Sequence, residues 1–407
     1  MSLSLTMQGA LREFITEARC KQTLIELVKV PSPQTELLEA EPLLRVFIET
    51  AVEPRLRAMG FTDIRYDAMS NLIAEIGPKQ ASPSLMFISN AMNQPQATMK
   101  NAYAGDVEDG AKYGLPGEVV LGKGASEQKA TMAAMLTAIE AVLKAGVALK
   151  GRLVFLCCTS GETGKHDAIR SVVETMGVRA DMAVLGGTSL TLSLGNRGRI
   201  DVFINVEGSA SHSSNPKGGA NAITGAIEVI RNITQGVKLD GEHPKLGRPT
   251  LAVTHIRSFP DSTHTIQASC EITVDRRLLP GQDPQAALAD ITEQAMKVDG
   301  MADPVSGKPF KVSVRLGPFM YPSLLKPDAP VVGKLVSAIG TALQRAPEMY
   351  YSASAFDQGY LNHVGIPTVN WGPGEYQFAH TDLDMASVAR TRDAALAYAT
   401  LILQELA

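Results

Sequence analysis

A glutamate stands where a glycine-rich loop runs into an apolar helix. The segment from Leu121 to Leu136 reads LGKGASEQKATMAAML. Its small residues allow a tight backbone turn, and apolar residues at three-to-four spacing predict a helix that begins near Lys129. A carboxylate at this place, Glu127, either contributes to a metal or anion site or caps the helix. A salt bridge to Lys123 or Lys129 is a third role that the sequence leaves open.

Other polar residues follow apolar runs elsewhere in the chain. The motifs, in order, are SLMFISNAMNQP at 84–95, RLVFLCCTSGETG at 152–164, GSASHSS at 208–214 and WGPGEYQFAHTDLD at 371–384. Together with Glu127, this succession resembles the co-catalytic zinc hydrolases, a family that includes acetylornithine deacetylase, succinyl-diaminopimelate desuccinylase, aminoacylase and the glutamate carboxypeptidases. The resemblance extends over nearly the whole chain.

The resemblance implies an α/β fold of the zinc-hydrolase (phosphorylase/hydrolase-like) type. Residues 1–196 and 316–407 are expected to form a mixed-sheet domain, and residues 197–315 an inserted α+β, ferredoxin-like lid that dimerises. The element pattern agrees, because strands alternate with helices up to Leu194 and are followed by strand, helix, strand, strand, helix and strand. The irregular stretch 90–121 is long for a compact domain and is predicted to be a functional loop.

In the resembled family two zinc ions share a bridging carboxylate and polarise a water. The residue-by-residue comparison places Asn90 at the first ligand, Glu127 at the bridge, Glu162 at the next ligand, Gly187 at an acidic ligand and His380 at the last one. Asn90 is a weak zinc ligand and Gly187 supplies no side chain. The general base of the family falls on Gly161, so no base is found. Glu127, Glu162 and His380 are therefore predicted to hold at most one divalent ion, such as zinc, manganese or cobalt, and a metal-free site is the alternative.

The substrate-binding positions are better preserved. His212 matches the lid histidine that stabilises an oxyanion in the neighbouring subunit, and Arg277 matches the arginine that binds a substrate carboxylate. His264 stands at the position of a family asparagine, while Gly372 and Gly374 match a turn that shapes the pocket floor. Asp357 lies in a segment that resembles a Ser-Asp motif, with no role assigned.

Two further sets of residues could complete the site. His166 follows Glu162 by four residues and is interpreted as a solvated histidine at a helix start, with a replacement metal ligand as the alternative. Four acids of the long loop could fold back towards the metal position, namely Asp106, Glu108, Asp109 and Glu118.

The composition excludes several classes of function. The formal charge is −4 from 38 basic and 42 acidic residues, with no run of either sign, so nucleic acid and membrane surfaces are not expected partners. The four cysteines lack CxxC spacing and predict reduced, buried thiols in a cytoplasmic protein. No apolar stretch is long enough to span a bilayer.

Two functions follow from these residues. The first is a metal-dependent hydrolase of N-acyl amino acids or small peptides, working as a homodimer with a depleted metal site. The second is a catalytically inactive relative that binds a small carboxylate through Arg277. The second function predicts a chain that retains the substrate-binding residues but lacks the general base.

Overall fold

The computed structural model describes residues 5–34, 42–79, 81–95, 98–161 and 164–407. It divides into two compact units: Met1–Gly195 with Leu324–Tyr351 and Phe356–Ala407 form the large unit, and Asn196–Ser323 with Ser352–Ala355 form the small unit. The predicted end of the lid at residue 315 falls within a strand of the small unit that continues to Met320.

The helices of the described chain are α1 (Leu5–Phe14), α2 (Glu17–Val28), α3 (Pro42–Phe47), α4 (Glu53–Ala58), α5 (Ala130–Lys144), α6 (Asp167–Arg170), α7 (Ala222–Gly236), α8 (Pro284–Met296), α9 (Pro330–Leu343), α10 (Asp357–His363) and α11 (Val388–Leu406). The strands are β1 (Asp63–Tyr66), β2 (Leu72–Ile76), β3 (Ser84–Asn90), β4 (Asp106–Asp109), β5 (Glu118–Leu121), β6 (Arg152–Cys158), β7 (Met182–Thr188), β8 (Thr191–Asn196), β9 (Gly198–Glu207), β10 (Ser211–His212), β11 (Thr250–Phe259), β12 (Thr265–Ile266), β13 (Ser269–Leu278), β14 (Lys311–Met320), β15 (Ser323–Leu324), β16 (Glu348–Ser352), β17 (Thr368–Gly374) and β18 (Met385–Ser387).

The large unit is built on a mixed sheet with the order β1-β2-β6-β3-β7-β17-β8-β15. Strands β6, β3, β7 and β17 are parallel neighbours, and β2 pairs antiparallel with β6. Every residue of β3, β7 and β17 is buried, as expected for strands whose two faces are both covered. The apolar faces of α2, α5, α9 and α11 join the core of this sheet. The carboxyl ends of the parallel strands carry Asn90, Thr188 and Gly374, so they are where a site is expected.

The small unit has a four-stranded antiparallel sheet with the order β11-β13-β9-β14. Helices α7 and α8 pack on this sheet around a separate apolar core. The order β9, α7, β11, β13, α8, β14 confirms the predicted α+β insertion.

The stretch 90–121 is not an irregular loop, which corrects the expectation from the sequence. Strands β4 and β5 pair antiparallel within it, and β5 also pairs with β18. The stretch also contains a short 3₁₀ helix at Gly110–Tyr113, which Asp109 caps. A single helical turn of this kind is difficult to predict from sequence. All four cysteines are free and buried, as predicted. Among the described residues, no helix is both long and apolar enough to cross a membrane.

Candidate active site

The loop before α5 is held by a buried aspartate from a remote part of the chain. Asp384 accepts hydrogen bonds from the backbone N–H groups of Gly124 at 2.7 Å and Ser126 at 2.9 Å. Burial raises the pKa of Asp384 to about 6, although both N–H groups and the charge of Lys123 lower it. The loop and the segment after β17 are therefore fixed against each other.

Glu127 is in an extended conformation, with φ −129° and ψ 104°, and its peptide bond to Gln128 is cis. Its Oε2 atom lies 3.0 Å from Nε2 of His380, a residue in the left-handed region at φ +62°. Lys123 and Lys129, the predicted alternative partners, donate instead to the carbonyls of Thr381 and Val30. Helix α5 begins at Ala130, one residue after the start predicted from the sequence. The structure thus brings together Glu127 and His380 from positions 253 residues apart.

A carboxamide fills the space beside Gly161. A Cβ atom on Gly161 would lie 1.6 Å from Nδ2 and 2.4 Å from Cγ of Asn90. Asn90 is 3% exposed, and its Oδ1 accepts no hydrogen bond from any described residue. No side chain fits at position 161 unless Asn90 moves. Glu162, the adjacent predicted ligand, lies outside the described residues.

Two more carboxamides line the carboxyl ends of β7 and β17. A Cβ on Gly187 would lie 2.3 Å from Oδ1 of Asn370, and one on Gly186 would lie 2.5 Å from Oε1 of Gln128. The Asn370 amide donates to the carbonyl of Gly186 at 2.8 Å. Neutral amides therefore occupy the volume around the two glycines.

The glycines of the predicted pocket floor are required by close backbone contacts. A Cβ on Gly372 would lie 2.5 Å from the carbonyl oxygen of Gly187, and one on Gly374 would lie 2.1 Å from that of Ser126. Only glycine allows backbone segments to approach so closely. These positions are fixed by packing between β17, β7 and the Glu127 loop.

Glu375 lies directly behind the Glu127 loop. Its backbone N–H donates to Oγ of Ser126 at 2.8 Å, and its Oε2 accepts from Nη1 of Arg390 at 2.5 Å. The side chain is 1% exposed, and Oε1 accepts no hydrogen bond from the residues described. Burial raises the pKa of Glu375 to about 7, against the opposing effect of Arg390.

Tyr350 is a partly buried tyrosine whose pKa responds to the charge of Glu127. Burial raises the pKa of Tyr350 to about 12; the charge of Glu127 adds to this effect and a hydrogen bond with Ser193 opposes it. The charge of Tyr376, whose side chain is 67% exposed, also raises the pKa of Tyr350. Glu127 and Tyr376 therefore both act electrostatically on Tyr350, within the large unit.

His166 is not a solvated histidine, which corrects the sequence interpretation. It is 3% exposed, and its Nδ1 lies 2.7 Å from Oδ1 of Asp357, which is itself buried. Burial raises the pKa of Asp357, while the hydrogen bond and charge of His166 lower it. The imidazole also packs 5.5 Å from the ring of Tyr360. The histidine starts α6, as expected, but its partner comes from α10.

The small unit places two predicted histidines at a two-stranded sheet formed by β10 and β12. His212 in β10 pairs with Thr265 of β12, and the N–H of Ser213 donates to the carbonyl of His264 at 2.9 Å. The His212 side chain is exposed and lies 2.7 Å from Oγ of Ser214 through Nδ1. Both residues therefore lie on the surface of the small unit.

Arg277 lies in β13 and already binds a carboxylate of its own strand. Its Nε and Nη2 donate to the two oxygens of Asp275 at 2.8 and 3.0 Å. Arg199, its direct neighbour across the ladder, contacts Asp275 at 3.1 Å and Asp201 at 2.7 Å. A ligand carboxylate at Arg277 has to join or displace this ion-pair cluster.

The acids of the 90–121 stretch lie on the surface and bind other partners. Glu108 accepts from Lys112 and Tyr113, Asp109 caps its 3₁₀ helix, and Glu118 pairs with Lys21 at 2.6 Å. Asp106 pairs with Leu121 in the β4–β5 ladder and is exposed. The interpretation that these acids fold back to complete a metal site is wrong.

Comparisons with known proteins relate this chain to the M20 peptidases. A family model described as a peptidase dimerisation domain, of the M20 group, matches residues 194–300. The succinyl-diaminopimelate desuccinylase of Caulobacter sp. strain K31 is 25% identical over 366 residues, which cover 86% of this chain and 89% of that protein. The chain therefore contains a segment that matches the M20 peptidase dimerisation domain, and over most of its length it is similar to a succinyl-diaminopimelate desuccinylase.

Solved structures share the M20 fold over almost their whole length. Human carnosine dipeptidase 1 gives a TM-score of 0.76 at 16% identity and covers 99% of both chains. The YXEP protein of Bacillus subtilis, described as a dinuclear metal binding peptidase from the M20 family, gives 0.62 at 14% identity, covering 95% of this chain and 98% of that one. At these identities the likeness concerns the fold alone.

A two-ion M20 centre does not fit the residues present. Asn90 offers an amide in place of an imidazole, Gly187 offers nothing, and the amide of Asn370 fills the space beside it. Within the described ranges there is no group of three or more His, Cys, Asp or Glu side chains arranged to hold a metal. The imidazole of His380 and the carboxylate of Glu127 are suitable donors for one ion.

Sequence reasoning missed the residues that support the site. Asp384 lies four positions after His380 in a quoted motif, and an acid so close to a candidate ligand was a usable signal. Glu375 follows Gly374 in the same motif. The amides of Gln128 and Asn370 carried no such signal, because amides are ordinary residues at the ends of strands.

Proposed function

We propose that this M20 family member hydrolyses an amide bond of an N-acyl amino acid or small peptide, using at most one divalent ion. The proposal rests on the 3.0 Å contact between Glu127 and His380, which joins two distant segments at the sheet edge where the family has its site. Glu162 would be the third ligand. When bound, such an ion would polarise the scissile carbonyl or a water.

The remaining roles fall to residues of this chain. Arg277 would bind the ligand carboxylate through its guanidinium, which Asp275 keeps oriented along β13. Tyr376 would contact the group next to the amide bond, since it is exposed and acts electrostatically on Tyr350, as Glu127 does. His212 would stabilise the oxyanion in the neighbouring subunit of a homodimer formed through the small unit.

The missing base limits the expected rate. General acid–base catalysis contributes about 10²–10⁴-fold, and none of the residues described stands at the base position. Hydrolysis by this chain is therefore proposed to be slow compared with a two-ion enzyme.

A second candidate function is binding without hydrolysis. It is favoured by one observation, the Asn90 amide that occupies the volume a base at position 161 would need. A chain that keeps Arg277 would then bind a small carboxylate without cleaving it.

The two candidates are separated by metal analysis together with a turnover screen. The protein is purified from cells grown with added zinc, manganese and cobalt, and is tested with N-acyl amino acids and dipeptides. One ion per chain, lost in Glu127→Gln and His380→Gln together with chelator-sensitive turnover, supports the hydrolase. Glu118→Gln and His255→Gln, both at exposed positions, are the matched controls.

Other outcomes contradict one or both candidates. Two ions per chain would show that the mapped ligand set is wrong. No ion and no turnover, with carboxylate binding that Arg277→Gln removes, would support the binder. Size-exclusion chromatography with light scattering tests the homodimer, and a monomer would remove the proposed role of His212.

A further inference from the structure

A cavity lies in the large unit, and neither Glu127 nor His380 lines it. It has a volume of about 240 Å³, with Trp371 and Leu343 among its apolar lining residues and Arg345 and Arg390 among its charged ones. Ser189 and Thr191, from the turn between β7 and β8, contribute hydroxyl groups. An apolar wall facing several polar groups is typical of small-molecule sites.

Both guanidinium groups are anchored from outside the cavity. Nη1 of Arg390 donates to Glu375, whose side chain is buried and does not line the cavity. Nη2 of Arg345 lies 3.3 Å from Oδ2 of Asp393, which is likewise outside the lining. Each guanidinium has five N–H donors, so most of them are left to a ligand. An arginine held by a carboxylate behind it loses little conformational freedom when it binds an anion.

The shape and chemistry of the cavity restrict its occupant. The volume is below the about 300–1,000 Å³ of sites for drug-sized ligands, so the ligand is small. Two guanidinium groups select an anion, and planar carboxylates match their geometry. The apolar residues favour a hydrocarbon tail. Glu348 also lines the cavity, but it is exposed, so solvent and salt screen its charge.

We propose that this cavity binds a small carboxylic acid with an apolar tail, through Arg345 and Arg390. The site does not depend on the proposed hydrolytic function. It connects to the Glu127 loop, since Arg390 binds Glu375 and Glu375 binds Ser126, the residue before Glu127.

The experiment is isothermal titration calorimetry of the full chain with three probes: 4-methylpentanoate, acetate and inorganic phosphate. We expect 4-methylpentanoate to bind at least about tenfold more tightly than acetate, because only it reaches the apolar lining. Arg345→Gln is expected to weaken that binding by about tenfold, the usual effect of losing a charged hydrogen bond. Arg345 is 57% exposed and touches neither Glu375 nor the Glu127 loop, so its variant should fold normally.

The control variants locate the binding. Arg45→Gln in α3, at a side chain as exposed as that of Arg345, pairs with Glu49 and does not line the cavity, so this variant should bind as wild type. Glu127→Gln should also leave the binding unchanged. Equal affinity of Arg345→Gln and wild type would overturn the proposal, and so would loss of binding in Glu127→Gln. Phosphate binding that equals or exceeds that of 4-methylpentanoate would show that the apolar lining contributes nothing, which also overturns it.

Discussion

The amide of Asn90 and the backbone of Gly161 share one space: a Cβ at position 161 would lie 1.6 Å from Nδ2 of Asn90. Asn90 ends β3 opposite Cys158 of the parallel strand β6, and Gly161 follows three residues after Cys158. A side chain at position 161 and the carboxamide of Asn90 therefore compete for the same volume, and we expect the two positions to be coupled.

We predict that Gly161→Ala destabilises the wild-type chain but not the Asn90→Ala variant. Overpacking costs about 1–3 kcal/mol, and truncation of Asn90 removes the atoms with which the new methyl collides. Urea unfolding of the four members of this double-mutant cycle measures the coupling. Gly333→Ala is the control, because it lies in α9 with no atom near its Cβ. Additive effects at positions 90 and 161 would contradict the shared space.

Glu375 is expected to make unfolding depend on pH. Its pKa is about 7 in the folded chain and close to the ordinary 4.5 when unfolded. The folded carboxyl therefore keeps its proton at higher pH, and its contribution to the free energy of unfolding is full below pH 4.5 and is lost as the pH rises through 7. The loss amounts to about 3 kcal/mol. Wild type should lose more stability than Glu375→Gln between pH 4.5 and 7, measured by urea unfolding at several pH values. Glu13→Gln, at an exposed position, should follow wild type.

Lys129 is expected to have the opposite pH dependence. It is fully buried, its Nζ donates to the carbonyl of Val30, and it lies 4.8 Å from the ring centre of Phe47. Burial lowers its pKa from 10.5 to about 7. Its contribution to stability is therefore full above pH 10.5 and is lost as the pH falls through 7. Lys129→Met should abolish a rise in unfolding free energy between pH 7 and 10. The same slope in the variant and in wild type would show that the lysine is not buried.

His166 and Asp357 are expected to stabilise the fold as a pair, more than either residue does alone. Removing the imidazole leaves a buried carboxylate without its partner, which costs about 3–5 kcal/mol. We predict that His166→Ala is strongly destabilising and that Asp357→Asn is milder, because an amide can still hydrogen-bond the imidazole. In the His166→Ala background, Asp357→Asn should restore stability. Thermal unfolding monitored by circular dichroism checks this, and a restored melting temperature in the double variant is the deciding result.

The fold and half of the candidate site could be predicted from the sequence. Periodicity located the start of α5 to within one residue. The motifs placed Glu127 and His380 at one site, and their side chains lie 3.0 Å apart. His166 was misplaced because a histidine in a polar segment carries no sign of burial, and its partner Asp357 comes from a distant helix. The surface acids from Asp106 to Glu118 were misjudged for a related reason. Their partners, including Lys21, are brought close only by tertiary structure.

The ladder from β4 through β5 to β18 has a consequence for redesign. It joins the loop before Glu127 to the segment after His380, and Asp384 adds two hydrogen bonds at the same junction. The entropy of bringing these two side chains together is therefore lost when the chain folds, and not when something binds between them. A protein engineer who wished to build a two-ion metal centre would start with two donors, Glu127 and His380, that the fold already holds together. The positions to change would be the three carboxamides, Asn90, Gln128 and Asn370.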